Sequence, residues 1–277
     1  MAVIFVTGGR RTGTTLLAGI LCADANANPL IGEAPMLRML VETLQWARKP
    51  ANFESFLQYS FRGEADVIGY FSSMIDQYVE RTRAVQGNPE HIVLKSPEFC
   101  LVMEEMVLAQ PHARFVVSVR DPRDQITSDL EVQNKDDAGN VVGDGRTYRD
   151  IRSAAKTLNG YYAKVAAAVR LAPDRVLYVR YEDVLQDFAA TLNRLNAFTG
   201  MGDSLFDPTR DWPRYAAISD LEPNYADYTP YYGKPLEASR IGRYRQYLDH
   251  NEVLQIEAGC EDLMRRFGYA LSVTQKI

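Results

Sequence analysis

The chain of 277 residues has little cysteine and histidine and no long apolar run. Its three cysteines, Cys22, Cys100 and Cys260, are odd in number and far apart, which predicts reduced thiols and no disulfide framework. No apolar run approaches the ~18 residues needed to span a bilayer. The first residues also lack a basic region followed by a signal-like apolar stretch. We therefore expect a cytoplasmic protein without a membrane span.

An excess of basic residues is also missing. Lys and Arg number 31 against 36 Asp and Glu, which gives a formal net charge of −5 at pH 7. General affinity for nucleic acid or for an anionic membrane surface is therefore not expected. With 46% hydrophobic residues, the length suits one globular domain with a full core. We assign residues 1–277 to a single domain, and the sequence leaves its oligomeric state open.

Short apolar runs alternate with segments of helical periodicity along most of the chain. The runs predict buried strands at residues 3–7, 91–95, 114–119 and 176–180. The helical segments are residues 16–23, 35–47, 66–83, 99–109, 122–133, 148–171, 184–199 and 249–266. The alternation predicts an α/β fold with a central parallel sheet flanked by helices. Polar residues follow each predicted strand, as expected where ligands bind at the carboxyl ends of the strands.

Two segments depart from this alternation. Residues 134–146 are polar and contain glycine, which predicts a mobile loop. Residues 200–240 combine five prolines with five tyrosines and show no clear period. This segment is either a lid over the acceptor or a covering loop whose tyrosines simply pack.

The first predicted strand runs directly into the pattern of a phosphate-binding loop. Gly8 and Gly13 have the Gly-x-x-x-x-Gly spacing, and a helix-like run follows. In nucleotide-binding P-loops a Lys and a hydroxyl residue come next and serve the triphosphate and its Mg²⁺, but here Thr14 stands at the Lys position. The cationic and hydroxyl side chains around it are Arg10, Arg11, Thr12 and Thr15. The pattern predicts an anion-binding loop that forms a strand–loop–helix unit, and a plain glycine-rich turn is the alternative.

A second cluster of anion-binding residue types follows the third predicted strand. Arg120 comes at the strand end, and Asp121 with Pro122 is a typical N-cap and first position of a helix. Ser128 lies about two turns along that helix. An arginine and a hydroxyl suit a second phosphate, although Arg120 in a structural ion pair with Asp121 or Asp124 is the alternative. No Asp, His or Cys cluster shows metal-ligand spacing, so we expect no metal site.

With these two clusters, the chain resembles the sulfotransferases that use 3′-phosphoadenosine 5′-phosphosulfate (PAPS). The resemblance implies that Arg11-Thr12-Gly13-Thr14-Thr15, with Arg10 beside it, binds the 5′-phosphosulfate. It implies that Arg120 and Ser128 bind the 3′-phosphate. Two weaker motifs follow in family order: Tyr181-Glu182-Asp183, whose Tyr181 would lie near the adenine, and Arg240-Ile241-Gly242, which with Arg243 would return to the 3′-phosphate.

The resemblance also implies a catalytic set. Relatives that act on phenols and steroids carry Lys-Thr-His after the second strand, with the His as general base, whereas this chain has Lys95-Ser96-Pro97. Its loop is more similar to that of the glycan- and tyrosylprotein-type branches, whose base is a Glu some twenty residues later. Glu33 is therefore the expected base and Glu98 the second choice, while a carboxylate that only stabilises a helix N-terminus is the alternative for Glu33. Arg11 and Lys95 are expected to stabilise the sulfuryl oxygens.

The implied reaction is in-line transfer of a sulfuryl group from PAPS to a hydroxyl of a small metabolite or saccharide. Adenosine 3′,5′-bisphosphate would be the other product. A protein tyrosine or an amine as acceptor stays open. Two other functions also stay open: a metal-dependent P-loop kinase, and a relative that binds the nucleotide without catalysis.

Overall fold

The computed structural model describes residues 2–133, 150–202 and 237–272. Residues 134–146 and most of the segment 200–240 lie outside these ranges, so the loop and lid assigned to them remain predictions. The strands are β1 (Val3–Gly8), β2 (Ile92–Lys95), β3 (Arg114–Val119) and β4 (Val176–Arg180). They form one parallel sheet in the order β2-β1-β3-β4.

Helices connect the strands and follow them. They are α1 (Thr14–Cys22), α2 (Pro35–Ala47), α3 (Pro50–Asn52), α4 (Glu64–Val85), α5 (Met103–Ala109), α6 (Pro122–Gln133), α7 (Ile151–Leu171), α8 (Tyr181–Gln186) and α9 (Phe188–Thr199). The C-terminal helices are Tyr244–Tyr247, His250–Gly259 and Glu261–Arg266. A π turn at Phe53–Leu57 and 3₁₀ turns at Pro97–Val102, Pro173–Arg175 and Ala238–Arg240 complete the described elements.

The side chains of β1 alternate between two separate cores, one on each face of the sheet. Phe5 stacks on Phe115 with 5.4 Å between ring centroids, within the core formed with α2, α4, α5 and α7. Ile4 and Val6 face the opposite core, which contains α1, α8 and α9. The sheet is therefore covered by helices on both faces, and the predicted fold class is confirmed.

Two predicted helices are each divided in two. Residues 184–199 contain a break at Asp187, whose side chain accepts a hydrogen bond from Ala190 N (3.1 Å) and so begins α9. Residues 249–266 break at Cys260. The segment predicted as a helix from residue 99 begins as the 3₁₀ turn at Pro97, with Ser96 as its N-cap.

All three cysteines are free and buried. Burial raises the pKa of each thiol, to about 12 for Cys100 and Cys260, so these thiols stay protonated. Within the described ranges, no helix has both the length and the apolar character needed to cross a membrane.

Candidate active site

The parallel register brings the carboxyl ends of all four strands to one edge of the sheet. Val6 of β1 pairs with Lys95 of β2, and Gly8 pairs with Ser118 of β3. Val119 of β3 in turn pairs with Arg180 of β4. Arg10, Arg120 and Tyr181 follow these strand ends within two residues, so the parallel topology brings them and Lys95 to one edge of the sheet.

Hydrogen bonds within the loop and from β3 hold the loop after β1 in its conformation. Arg11 and Gly13 both have a positive φ, 65° and 92°, which turns the backbone sharply before α1. Thr12 is fully buried, and its hydroxyl donates to Gly9 O (2.7 Å). The Ser118 hydroxyl donates to Thr12 O (2.6 Å), so β3 anchors the loop. Of the predicted loop residues, Thr12 therefore braces the loop from inside.

The start of α1 has the properties of an anion-binding helix terminus. Gly13 is the N-cap and offers no side chain to the first backbone N–H groups, which lack acceptors within the helix. Thr14 and Thr15 are the first two helical residues. A Cβ atom at position 13 would lie 2.6 Å from Cδ2 of Tyr181, so the tyrosine ring packs directly on the loop.

Arg11 links the loop to the second predicted cluster. Its Nε donates to Ser128 Oγ over 3.3 Å. Burial lowers the pKa of Arg11, and the negative charges of Asp129 and Glu131 partly oppose this shift. Arg10 extends to the other side, where its guanidinium lies 2.7 Å from Glu98 Oε1. The two arginines of the loop thus point to different parts of the crevice.

Arg120 is buried at the end of β3 and is held by backbone carbonyls. Its Nη1 donates to Arg11 O and its Nη2 to Arg240 O, each over 3.1 Å. Its guanidinium lies over the Tyr181 ring, 4.6 Å from the centroid. Its Nε is buried and has no hydrogen-bond partner within the described part of the chain. A buried donor of this kind suits an anionic ligand.

The structural ion pair considered for Arg120 is formed by Arg123 instead. Asp121 accepts hydrogen bonds from Nε and Nη2 of Arg123, at 3.0 and 2.6 Å. Asp124 accepts from the backbone N–H groups of Gly242 (2.6 Å) and Tyr244 (2.9 Å). Burial raises the pKa of Asp124. Neither carboxylate neutralises Arg120 through a direct ion pair.

These two hydrogen bonds to Asp124 hold the turn that contains the Arg-x-Gly motif against α6. Gly242 adopts a positive φ of 77° in the turn. Its neighbours Arg240 and Arg243 both reach Glu131, with N–O distances of 3.7 and 2.5 Å. The motif therefore packs against the face of α6 that carries Asp124 and Glu131, and Ser128 lies on the same face between them.

Lys95 and Glu33 meet at the end of β2. Lys95 Nζ lies 3.1 Å from Glu33 Oε1, and Ala34 N donates to Lys95 O (3.2 Å), which fixes the loop before α2 against the strand. The Lys95 side chain is 3% exposed and that of Glu33 is 39% exposed. The second candidate base, Glu98, lies between Arg10 and Arg38, at 2.7 and 3.1 Å. Glu33 is thus the more accessible and less neutralised carboxylate.

Several residues that support the candidate site were not predicted from the sequence. Ser118 and Tyr162 support the loop, because the Ser118 hydroxyl donates to Thr12 O and the Tyr162 hydroxyl accepts from Gly9 N (3.4 Å) while it donates to Ser118 O (2.9 Å). Glu131 was missed as well; it shares one face of α6 with Asp124 and the predicted Ser128, and the spacing of four and three residues is the available sequence signal. No group of three or more His, Cys, Asp or Glu side chains in the described ranges is arranged to hold a metal ion.

Comparison with known proteins identifies the family. Residues 3–204 match the family described as the Sulfotransferase family. The chain belongs to the sulfotransferase family. No protein with a curated description matches the sequence of this sulfotransferase at a significant level.

Solved sulfotransferase structures share the fold. The sulfotransferase domain of the Synechococcus PCC 7002 olefin synthase superposes with a TM-score of 0.60 at 15% identity, over 98% of this chain and 95% of that one. The sulfotransferase domain from the curacin biosynthetic pathway gives 0.59 at 18% identity, over 98% of both chains. Sulfotransferase STF9 from Mycobacterium avium gives 0.53 at 15%, over 98% and 77%. The family and the fold identify a transferase enzyme.

Proposed function

We propose that this sulfotransferase transfers a sulfuryl group from PAPS to a hydroxyl of a small metabolite or saccharide. The contact between Lys95 and Glu33 carries the proposal. It places a buried cation and an accessible carboxylate side by side, on the same sheet edge as the arginine-containing loop. Sulfuryl transfer needs cations near the transferred group and a base near the acceptor, and this pair offers both.

The residues present fit a nucleotide with an anionic group at each end. The start of α1 and Arg11 would hold the 5′ end, and Arg120, Ser128 and the Arg240–Arg243 turn would hold the 3′-phosphate. The buried Nε of Arg120, which has no hydrogen-bond partner among the described residues, is the observation that favours this assignment. Tyr181 lies against both Gly13 and Arg120, where it would contact the nucleoside. When bound, PAPS supplies the activated sulfuryl group.

Glu33 would accept the proton of the acceptor hydroxyl. Its side chain is accessible from solvent, so an acceptor can approach it, and its hydrogen bond to Lys95 orients the carboxylate. Lys95 is held in place by burial and presents a fixed positive charge at the strand end. Arg11, half-buried beside Ser128, presents a second one. These residues therefore position and neutralise charge without having to rearrange.

The acceptor class and the cytoplasmic location rest on the sequence argument. A protein tyrosine or an amine remains an alternative acceptor. Met36 and Met39 are 64% and 60% exposed on α2, three and six residues after Glu33. These exposed apolar side chains lie within two helical turns of the proposed base in sequence, and we expect them to favour an acceptor with an apolar part. An acceptor panel should therefore include hydroxylated compounds with alkyl or aromatic groups as well as sugars.

The donor site is tested by calorimetric titration of adenosine 3′,5′-bisphosphate into the protein without Mg²⁺. We expect micromolar binding that requires the 3′-phosphate, so that adenosine 5′-monophosphate binds much more weakly. Binding of ATP only in the presence of Mg²⁺ would favour a P-loop kinase instead and would refute the proposed donor.

The proposed base is tested by Glu33→Gln with Glu98→Gln as the matched variant. We expect Glu33→Gln to slow release of adenosine 3′,5′-bisphosphate from PAPS in the presence of the acceptor panel by about 10²–10⁴-fold, because general-base catalysis contributes that much. Donor affinity, measured by calorimetry, should change little. A large loss in Glu98→Gln with a small one in Glu33→Gln would assign the base to Glu98.

A further inference from the structure

The arginines assigned to the 3′-phosphate are already paired with a carboxylate of the same chain, Glu131. Glu131 Oε1 lies 2.5 Å from Nη2 of Arg243, and Glu131 Oε2 lies 3.7 Å from Nη1 of Arg240. The Glu131 side chain is 20% exposed, so this ion-pair network is partly shielded from solvent. A carboxylate and a phosphate use the same guanidinium donors.

The position of Glu131 on α6 places it within the proposed phosphate subsite. Ser128 and Glu131 are three residues apart and therefore neighbours on one face of the helix. Ser128 accepts from Arg11, and the charge of Glu131 acts on the same arginine. The turn that carries Arg240 and Arg243 is held by backbone bonds to Asp124 and does not depend on Glu131 for its anchorage.

We infer that Glu131 is an internal competitor for the 3′-phosphate. This inference rests on the proposed function. Binding of the phosphate requires the guanidinium groups of Arg240 and Arg243 to exchange a carboxylate for phosphate oxygens. The dianionic phosphate gains from this exchange, whereas a ligand without a 3′-phosphate leaves the ion pairs intact. Glu131 therefore lowers the affinity for every ligand with that phosphate, including the spent donor, and speeds its release.

The test is calorimetric titration of adenosine 3′,5′-bisphosphate and adenosine 5′-monophosphate into wild type, Glu131→Gln and Glu131→Ala. Glu80→Gln is the matched control, because Glu80 also pairs with an arginine, Arg83, on α4. We expect both Glu131 variants to bind the bisphosphate about three- to tenfold more tightly, the size expected for loss of partly exposed ion pairs. Binding of the monophosphate, and all binding by Glu80→Gln, should stay within about twofold.

Other results would distinguish a failure of the competition by Glu131 from a failure of the proposed donor site. Weaker bisphosphate binding by both Glu131 variants would show that Glu131 orients the arginines, and unchanged binding would show that it is not displaced. Either result overturns the competition while the donor site stands. Absence of binding by wild type and variants alike would overturn the donor site and this inference together.

Discussion

Arg120 and Arg123 are three residues apart and equally buried, with 6% and 5% exposure, yet their surroundings differ in kind. Arg123 contacts two carboxylates, Asp121 at 2.6 Å and Glu257 at 2.7 Å, and lies over the Tyr244 ring. Arg120 contacts two backbone carbonyls and one aromatic ring, and its Nε has no partner among the described residues.

The difference separates an arginine that builds the fold from one that is available to a ligand. Two carboxylates pair with Arg123, so its charge is balanced within the protein. Carbonyl dipoles orient Arg120 but leave its net charge in place, and an anionic ligand can then complete its environment. Burial does not distinguish Arg120 from Arg123, whereas the charge of their partners does.

The strongest test of this comparison is Arg123→Met, which keeps much of the side-chain length and removes the charge. The buried carboxylates of Asp121 and Glu257 would lose their cation, so we expect the free energy of unfolding to fall by about 3–5 kcal/mol. Urea denaturation followed by circular dichroism measures it. A loss below about 1 kcal/mol would mean that this cluster does not hold the fold.

Arg120→Met is the matched variant and should act on binding. We expect the affinity for adenosine 3′,5′-bisphosphate to fall by about 10- to 150-fold, since hydrogen bonds to a charged group contribute about 1.5–3 kcal/mol. Titration calorimetry gives the affinity. The same denaturation assay should show a smaller loss of stability than in Arg123→Met, and equal losses would contradict the assignment of separate roles.

Glu182→Gln tests a buried carboxyl group whose hydrogen bonds come from neutral donors. Glu182 accepts from Asp121 N (2.9 Å) and from the Tyr269 hydroxyl (2.8 Å), and lies 4.0 Å from Arg180. A glutamine can accept from Asp121 N with its carbonyl oxygen and donate its amide N–H to the Tyr269 hydroxyl oxygen, so we expect the smallest change in stability of the three variants.

The effect of Glu182→Gln should depend on pH. Burial raises the pKa of Glu182, so its ionisation in the folded state is unfavourable. As the pH rises from about 4, near the unfolded pKa, wild type should lose stability relative to Glu182→Gln, until the pH exceeds the raised pKa. Unfolding midpoints in urea between pH 4.5 and 8 measure the difference. A gain in wild-type stability relative to Glu182→Gln with rising pH would instead show that the folded protein stabilises the charge.

Much of the fold could be predicted from the sequence because each strand is a short apolar run with polar residues at its end. The four predicted strands agree with the structure to within one residue at each end. The breaks at Asp187 and Cys260 were missed because helical periodicity continues across them. An N-cap residue such as Asp187 interrupts a helix without interrupting the apolar pattern.

The sequence could predict which candidate site residues lie at strand ends, but not the tertiary contacts that these residues make. The approach of Arg243 to Glu131 joins segments more than 100 residues apart, and no local pattern announces it. Similarly, Glu33 and Lys95 were each predicted to be catalytic, but their contact depends on the bond between Ala34 N and Lys95 O. A sequence motif can predict the role of a residue, whereas the residues that it contacts are known only from the fold.

The packing of Tyr181 against Gly13 limits how the molecule can be re-engineered. The ring fills the space that any side chain at position 13 would need, and it also supports Arg120. The loop after β1 is therefore not an exchangeable module. A chimaera that imports a loop with a larger residue at position 13 should displace the ring and disturb both proposed anion subsites, unless the residue at position 181 is exchanged with it.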